Sequence, residues 1–425
     1  MKKYILVVVI LAFCYKANAQ ILKKLKDKIK DKTEKVIDKK VDDKVSTGDN
    51  EGSQSGNSSE AVSEISDRKN GSKTAYKSKF DFIPGNKILL WDDFIQDAVG
   101  DFPDKWFTKS SGEVITLDDE AGKWLMMRQS SEYFPDLLLD LPENFTIQFD
   151  LVCTVPFSWG NGMFNFSIAD IKNLDDYRKG RNGGETMESN FNFPTMKISL
   201  HPGLKNPGNV DTKGYGNYYT GNSRDKIDLK DYFMPVKPFN HVKISIWKQK
   251  QRIRVYVDEN KVLDLPKILP EGMKPNLFAF ESGLLYDEDH YFISNLRIAA
   301  SEPDNRNKLL IDGKLVSTGI LFDVNSDNIK PESYGAIKEI AGILKENSGV
   351  NVLIVGHTDN DGDDAKNLEL SKKRAAAVKK ALVSDFDISA DRLQTDGKGA
   401  TEPLVPNTSA MNKANNRRVE FMVSK

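Results

Sequence analysis

The sequence predicts a multidomain chain in which an antiparallel β-sandwich is followed by a small α/β sandwich. Two changes of pattern carry that expectation. Between about 83 and 300 lie all five tryptophans (Trp91, Trp106, Trp124, Trp159 and Trp247) and many short alternating runs, among them Phe145-Thr146-Ile147-Gln148-Phe149 and Val242-Lys243-Ile244-Ser245-Ile246. Glycine and proline punctuate them and hardly any helical period is present, which is the pattern of half-buried strands in a sandwich. From 317 onward, β-branched runs alternate with helical-period stretches over roughly a hundred residues, enough for one α/β domain with its own core.

Taken in order, the chain begins with Lys2-Lys3, an apolar run from Tyr4 to Cys14, and Ala17-Asn18-Ala19 before Gln20. That order fits a secretory signal peptide over 1–19 with a small-x-small cleavage site. Cys14 offers lipidation as an alternative, against which stands the bulky Phe13 where such processing wants a small residue. Residues 20–45 set Leu22, Leu25, Ile29, Val36 and Val45 among dense Lys and Asp. This basic amphipathic segment suits a membrane surface, a partner helix or a solvated spacer. Residues 46–82, dominated by Ser, Gly, Asn, Glu and Lys, are expected to be a flexible linker.

Several classes are excluded by composition. Lys and Arg total 61 against 62 Asp and Glu, a net charge of -1 that argues against a nucleic-acid partner. Beyond the signal no stretch approaches the roughly eighteen apolar residues of a membrane-spanning helix, and no series of alternating ten-residue segments suggests a membrane barrel. With the signal removed only Cys153 remains, so no intramolecular disulfide is available. Cys153 ends the run Phe149-Asp150-Leu151-Val152-Cys153 and is expected to be a buried strand residue.

Within 83–300, Val242 to Leu265 is expected to form two strands joined at Asp258–Asn260. That hairpin and the strand rhythm around it resemble concanavalin/laminin-G-like jelly rolls. The resemblance implies a glycan or protein ligand. Trp159, Tyr215, Tyr218 and Tyr219 lie near glycine and asparagine, where rings can stack on sugars, while most of the other aromatics are expected to be packing. The Glu-x-Asp-x-x-Glu signature that supplies paired carboxylates to the glucanases of this fold is absent. No catalytic residue is therefore assigned, and the chain is not expected to be an enzyme.

Residues 301–316 are expected to link the sandwich to the domain at 317–425. There, strands are predicted at about 317–323, 350–355, 392–397 and 417–423, and helices at 331–344 and 367–382. Pro331 suits a first helical turn, and Ile337, Ile340, Ala341 and Leu344 form the apolar stripe of the earlier helix. Asn367, Ser371 and Arg374 share one face of the later helix, beginning beside a loop that carries Asp359. A carboxylate leaving a strand and a guanidinium fifteen residues later on the following helix can converge on a zwitterion. The simpler alternative is an ion pair between the two. His357 is expected to fix the loop, and Arg417 and Arg418 alternate sides so that one reaches the pocket. The acidic run from Asp359 to Asp364 does not match a calcium loop, because Gly362 is misplaced and no bidentate Glu follows. Neither metal nor cofactor is expected.

Phe322-Asp323, Gly356-His357-Thr358-Asp359, Asn367, Ser371-x-x-Arg374-Ala375, Gly397-x-Gly399, Pro403, Asn407 and Asn416-Arg417-Arg418-Val419-Glu420 occur in an order and spacing that resembles the OmpA-like C-terminal domain, the peptidoglycan-binding module of the bacterial outer envelope. The resemblance implies that Asp359 and Arg374 hold the ammonium and carboxylate of diaminopimelate in the peptide stem, with Asn367 and Arg418 as supporting contacts. Asn412-Lys413 stands where the family usually has Gly-Arg, and Asn412 is expected to tolerate a left-handed turn. The function so implied is non-covalent anchoring of the jelly roll to the wall, in the periplasm or at the outer membrane. A wall-tethered glycan-cleaving enzyme and a structural link between peptidoglycan and outer membrane are the competing readings.

Overall fold

A computed structural model describes residues 80–154, 162–179, 194–200, 208–213, 219–223, 239–283, 289–301 and 305–424. The expected signal peptide at 1–19, the basic segment at 20–45, most of the 46–82 linker, Trp159, Tyr215 and Tyr218 lie outside the described residues, and only the backbone of Tyr219 is described. No helix among the described residues is long and apolar enough to cross a membrane.

Two antiparallel sheets face each other across one apolar core. The larger has the spatial order 260–265, 252–257, 239–249, 144–154, 291–300, 120–127, 112–117, with Lys87–Asp92 also pairing on 291–300. The smaller runs 219–223, 208–213, 195–200, 164–169, 277–282, 131–135, 106–107. Alternation decides which side chains enter the core. Ile147, Phe149, Leu151, Val242, Ile244 and Ile246 from the larger sheet meet Phe164, Phe166, Phe278 and Phe280 from the smaller, while Gln148, Asp150, Lys243 and Ser245 point to the other face. Cys153 is fully buried in this core.

Where two strands were expected between Val242 and Leu265 there are three, since Phe239–Gln249 turns into Arg252–Val257 before the turn into Asn260–Leu265. The extra turn uses Lys250 at φ +51°. It has neither Gly nor Asn to announce it, whereas Asp258 at φ +50° is a residue type that tolerates this conformation.

The C-terminal sheet has the order Lys314–Ser317, Val419–Ser424, Asn351–His357, Leu393–Gly399. Only its last pair is parallel, and the required crossover is the helix Asp364–Ser384. That helix buries Asn367, Ser371, Ala375, Val378 and Leu382, a stripe at helical spacing. It lies close to the sheet because Gly356 has no side chain: a Cβ there would sit 2.2 Å from the Ser371 carbonyl oxygen. Tyr334–Glu346 packs Ile337, Ile340, Ala341 and Leu344 into the same core.

Two boundaries differ from expectation. Residues 301–316 are not a bare linker: they carry the helix Asn305–Leu310 and the strand Lys314–Ser317, and Leu309 and Leu315 enter the C-terminal core. The apolar pairs there are too short for a period to be read, and pairing with Val419–Ser424 is what makes the strand. The strand expected at 317–323 accordingly ends at Ser317, leaving a single bridge between Phe322 and Ile329. At the other end, Phe80 and Phe82 of the expected 46–82 linker are buried at 1% and 0% exposure against Trp247 and Tyr256. Asp81 accepts from Tyr256 Oη at 2.8 Å and from Lys261 Nζ.

Residues 80–86 thus form a strap over the outer face of the larger sheet. It also touches the C-terminal domain, since a Cβ on Gly335 would overlap the Phe82 carbonyl oxygen at 1.7 Å. Replacing a buried Phe leaves a cavity costing about 3–5 kcal/mol. Phe82→Ala is expected to lower the unfolding free energy by that order in denaturant titration, whereas a removable linker would leave it unchanged.

Candidate functional site

The strand Asn351–His357 ends beneath the loop that carries Asp359. Asp359 is 7% exposed. Its Oδ1 accepts from the Asp361 backbone N–H at 3.1 Å and its Oδ2 from Arg417 Nη1 at 2.6 Å. Asn367, one helical turn into Asp364–Ser384, donates from Nδ2 to the carbonyl oxygens of Asp361 (3.0 Å) and Asp359 (3.4 Å). Asn367 therefore braces the loop backbone and so sets where the Asp359 carboxylate points. Asp363 caps the helix by accepting from Lys366 N–H.

Two turns along the helix, Arg374 lays its guanidinium over the Phe322 ring at 4.9 Å and donates to the carbonyl oxygens of Ser326 (2.9 Å) and Asp323 (3.3 Å). Burial lowers its pKa first and the neighbouring Arg417 lowers it further, while Asp359 and Asp327 oppose them. Among the described residues no carboxylate lies within ion-pair distance of Arg374. The simple alternative of an Asp359–Arg374 pair is thus not what the structure contains. Both side chains line one cavity of about 400 Å³, and Asp359 takes its cation from Arg417.

Arg418, anticipated as the supporting arginine, also lines this cavity but spends its hydrogen bonds on the surrounding chain. It is 5% exposed, binds Glu420 through Nε and Nη2 at 2.8 Å, and donates to the carbonyl oxygens of Asn416 and Glu402. Arg417 is the guanidinium that meets Asp359. His357, expected to fix the loop, is 2% exposed at the strand end with Nε2 3.6 Å from Glu420, and neither ring nitrogen has a hydrogen-bond partner among the described residues.

Asn412 does not adopt the left-handed turn anticipated for it. It lies in the helix Ala410–Asn416, its N–H accepted by Ser409 Oγ at 3.1 Å, so no positive φ is needed. Lys413 keeps an ion pair with Asp361 at 2.6 Å, although the Asp361 side chain is mostly exposed and such pairs contribute little.

Part of the cavity wall comes from outside the C-terminal domain, and this the sequence did not disclose. Trp91, Asp93, Asp150, Lys243, Asn295 and Arg297 of the sandwich also line it. Arg417 lies over the Trp91 ring at 5.3 Å, and Trp91 Nε1 donates to Asp93. The Arg417 that orients Asp359 is itself held against an aromatic face supplied by the other domain.

Comparison with known proteins assigns this region. The OmpA family model matches residues 321–417. Outer membrane porin F of Pseudomonas aeruginosa is 36% identical over 108 residues, 25% of this chain and 31% of its own length. YfiB of Escherichia coli, named as a lipoprotein, is 36% identical over 109 residues, 26% of this chain and 68% of its own. Among solved structures, the peptidoglycan-associated lipoprotein from Burkholderia pseudomallei is 26% identical, with a TM-score of 0.25, covering 26% of this chain and 98% of that one. The chain belongs to the OmpA family through its C-terminal residues. It spans less than a third of the porin's length.

The buried charges behind the site tie stability to pH. Burial alone would raise the Glu420 carboxyl, but the His357 ring, Lys314 and Arg418 outweigh it and hold it well below the usual range. Because the folded value is depressed, the stabilisation is complete above the ordinary value of 4.5 and is lost as pH falls below it. Glu420→Gln is expected to be less stable than wild type at pH 7 by about 3 kcal/mol, since it leaves Arg418 buried and uncompensated. In denaturant titrations at successive pH values, that gap should narrow below pH 4.5.

Proposed function

We propose that the chain is a secreted cell-envelope binding protein that docks non-covalently on the peptide stem of peptidoglycan through its C-terminal domain. In this reading Asp359 takes the ammonium of diaminopimelate and Arg374 its carboxylate. The observation that carries this is the guanidinium of Arg374, partly buried beside Asp359 with no carboxylate of its own among the described residues. Two of its five N–H groups go to carbonyl oxygens, which leaves Nη1 and one Nη2 hydrogen for a carboxylate in the end-on fork. An ionised carboxylate offers about four lone-pair sites, and Asp359 uses two of them on Arg417 and the Asp361 N–H. The remainder can accept an ammonium. Asn367 and Arg417 position this pair, and Arg418 supports the strand from behind.

In this reading the larger domain, with its two facing antiparallel sheets, is a jelly roll that the C-terminal module anchors to the wall, and it binds rather than cleaves. The OmpA-family relatives, outer-membrane and lipoprotein by name, support an envelope location.

Charge-assisted contacts of this kind contribute about 1.5–3 kcal/mol each. In co-sedimentation of the full chain with purified sacculi, Asp359→Ala and Arg374→Ala should each weaken binding by about tenfold or more. Arg374→Lys should also weaken it, because a point charge does not reproduce the fork. Wild-type affinity in both alanine variants would end the proposal.

A further inference from the structure

The cavity that holds Asp359 and Arg374 has a second half, built by the sandwich, whose chemistry nothing above uses. Its centre is Arg297, 2% exposed. On the larger sheet Arg297 stands opposite Gln148 on one neighbouring strand and Trp91 on the other, so these three side chains form a row across the outer face. A bulge puts it there. Between Ser294, opposite Asp150, and Arg297, opposite Gln148, the strand Tyr291–Ala300 holds one residue too many. Asn295 absorbs it at φ +52°. Were the same residues to run as regular strand with no bulge, Arg297 would share the side of Ile293 and point into the apolar core.

A guanidinium so placed would ordinarily be buried with an anion. Among the described residues Arg297 has none within ion-pair distance. Nη1 donates to Gln148 Oε1 (3.1 Å), and Nη2 to the Gly85 carbonyl oxygen (2.6 Å) and Thr318 Oγ1 (2.9 Å). Its Nε and the neighbouring Gln148 Nε2 are buried donors without an acceptor. Burial pushes the Arg297 guanidinium down to about 10. The nearby carboxylate, Asp150, is already engaged by Lys243 Nζ (2.8 Å) and Asn295 Nδ2 (2.6 Å). The sandwich wall of the cavity thus holds a guanidinium with no carboxylate of its own, beside buried donors with nothing to bind.

Building on the peptidoglycan reading, we propose that the two domains together form one bipartite site. While Asp359 and Arg374 hold the zwitterionic head group, the sandwich half at Arg297 and Gln148 receives a second carboxylate of the same ligand. The ligand class is therefore an acidic peptide containing diaminopimelate that ends in a free carboxylate close to that residue, and the sandwich acts as a specificity element of the wall-binding site. Trp91 joins the halves, its ring packed against Arg417 and its strand position opposite Arg297.

The test compares two synthetic diaminopimelate peptides, identical except that one ends in a carboxylate and the other in an amide, by calorimetric titration of the full chain. The carboxylate form is expected to bind about tenfold more tightly to wild type. Arg297→Gln should remove that preference while retaining binding of the amide form, and Arg297→Lys should keep part of it. Equal affinity of wild type for the two peptides overturns the bipartite site and leaves the head-group reading standing. Failure of both to bind overturns the two together. Should Arg297→Gln not fold, the wild-type comparison decides alone.

Discussion

The outer face of the larger sheet carries Gln148, Asp150, Lys243 and Arg297 in the midst of an otherwise apolar sandwich, and everything distinctive in the molecule follows from how those groups are covered. Plain hydrophobic packing over them would strand buried charge at a cost of several kcal/mol. The cover is therefore polar where it must be. Thr318 and the Gly85 carbonyl meet Arg297, and Glu332 approaches Lys243 at 3.8 Å. Apolar contacts border this patch at Phe80, Phe82 and Trp247 on one side and at Ile88, Ala299 and Ala414 on the other. Between these seals the two surfaces do not meet fully, and the space left is the cavity shared by Asp359 and Arg374.

Inside the C-terminal domain, site and fold are the same construction. Gly356 lets the helix Asp364–Ser384 approach the sheet, the approach buries Asn367 and Ser371, and Asn367 then braces the loop that aims Asp359. Ser371 Oγ accepts from the Gly399 N–H at 2.9 Å and donates to the Leu368 carbonyl at 2.7 Å, tying the same helix to the neighbouring parallel strand. A ligand meeting Asp359 and Arg374 thus encounters groups that have little rotational freedom left to lose, which favours affinity. The arginine doublet divides its labour, with Arg417 meeting Asp359 and Arg418 pairing with the buried Glu420, which Lys314 also reaches from the surface.

Much of this was legible in the sequence because it rests on short-range pattern. The helix carrying Arg374, the strand before Asp359, the polar face shared by Asn367 and Ser371, and the alternating core of the sandwich all follow from period and turn signals within about twenty residues. What was not legible depends on partners distant in sequence. Lys314–Ser317 is a strand only because Val419–Ser424 lies beside it. Phe80 and Phe82 sat at the edge of a stretch whose average composition concealed them. That Trp91 and Arg297 contribute to the cavity could not be inferred without knowing which face of the sheet the second domain covers.

The strand Lys87–Asp92, adjoining the strap, pairs with Tyr291–Ala300, and Ile88 N–H is accepted by Asn415 Oδ1 at 3.2 Å, 327 positions along the chain. Both partners lie far along the chain, and loop-closure entropy of this extent slows folding more than it weakens the finished state. Here Asn415 and Ala414 of the helix Ala410–Asn416 hold Ile88, so one strand of the sandwich is fastened by a helix of the other domain.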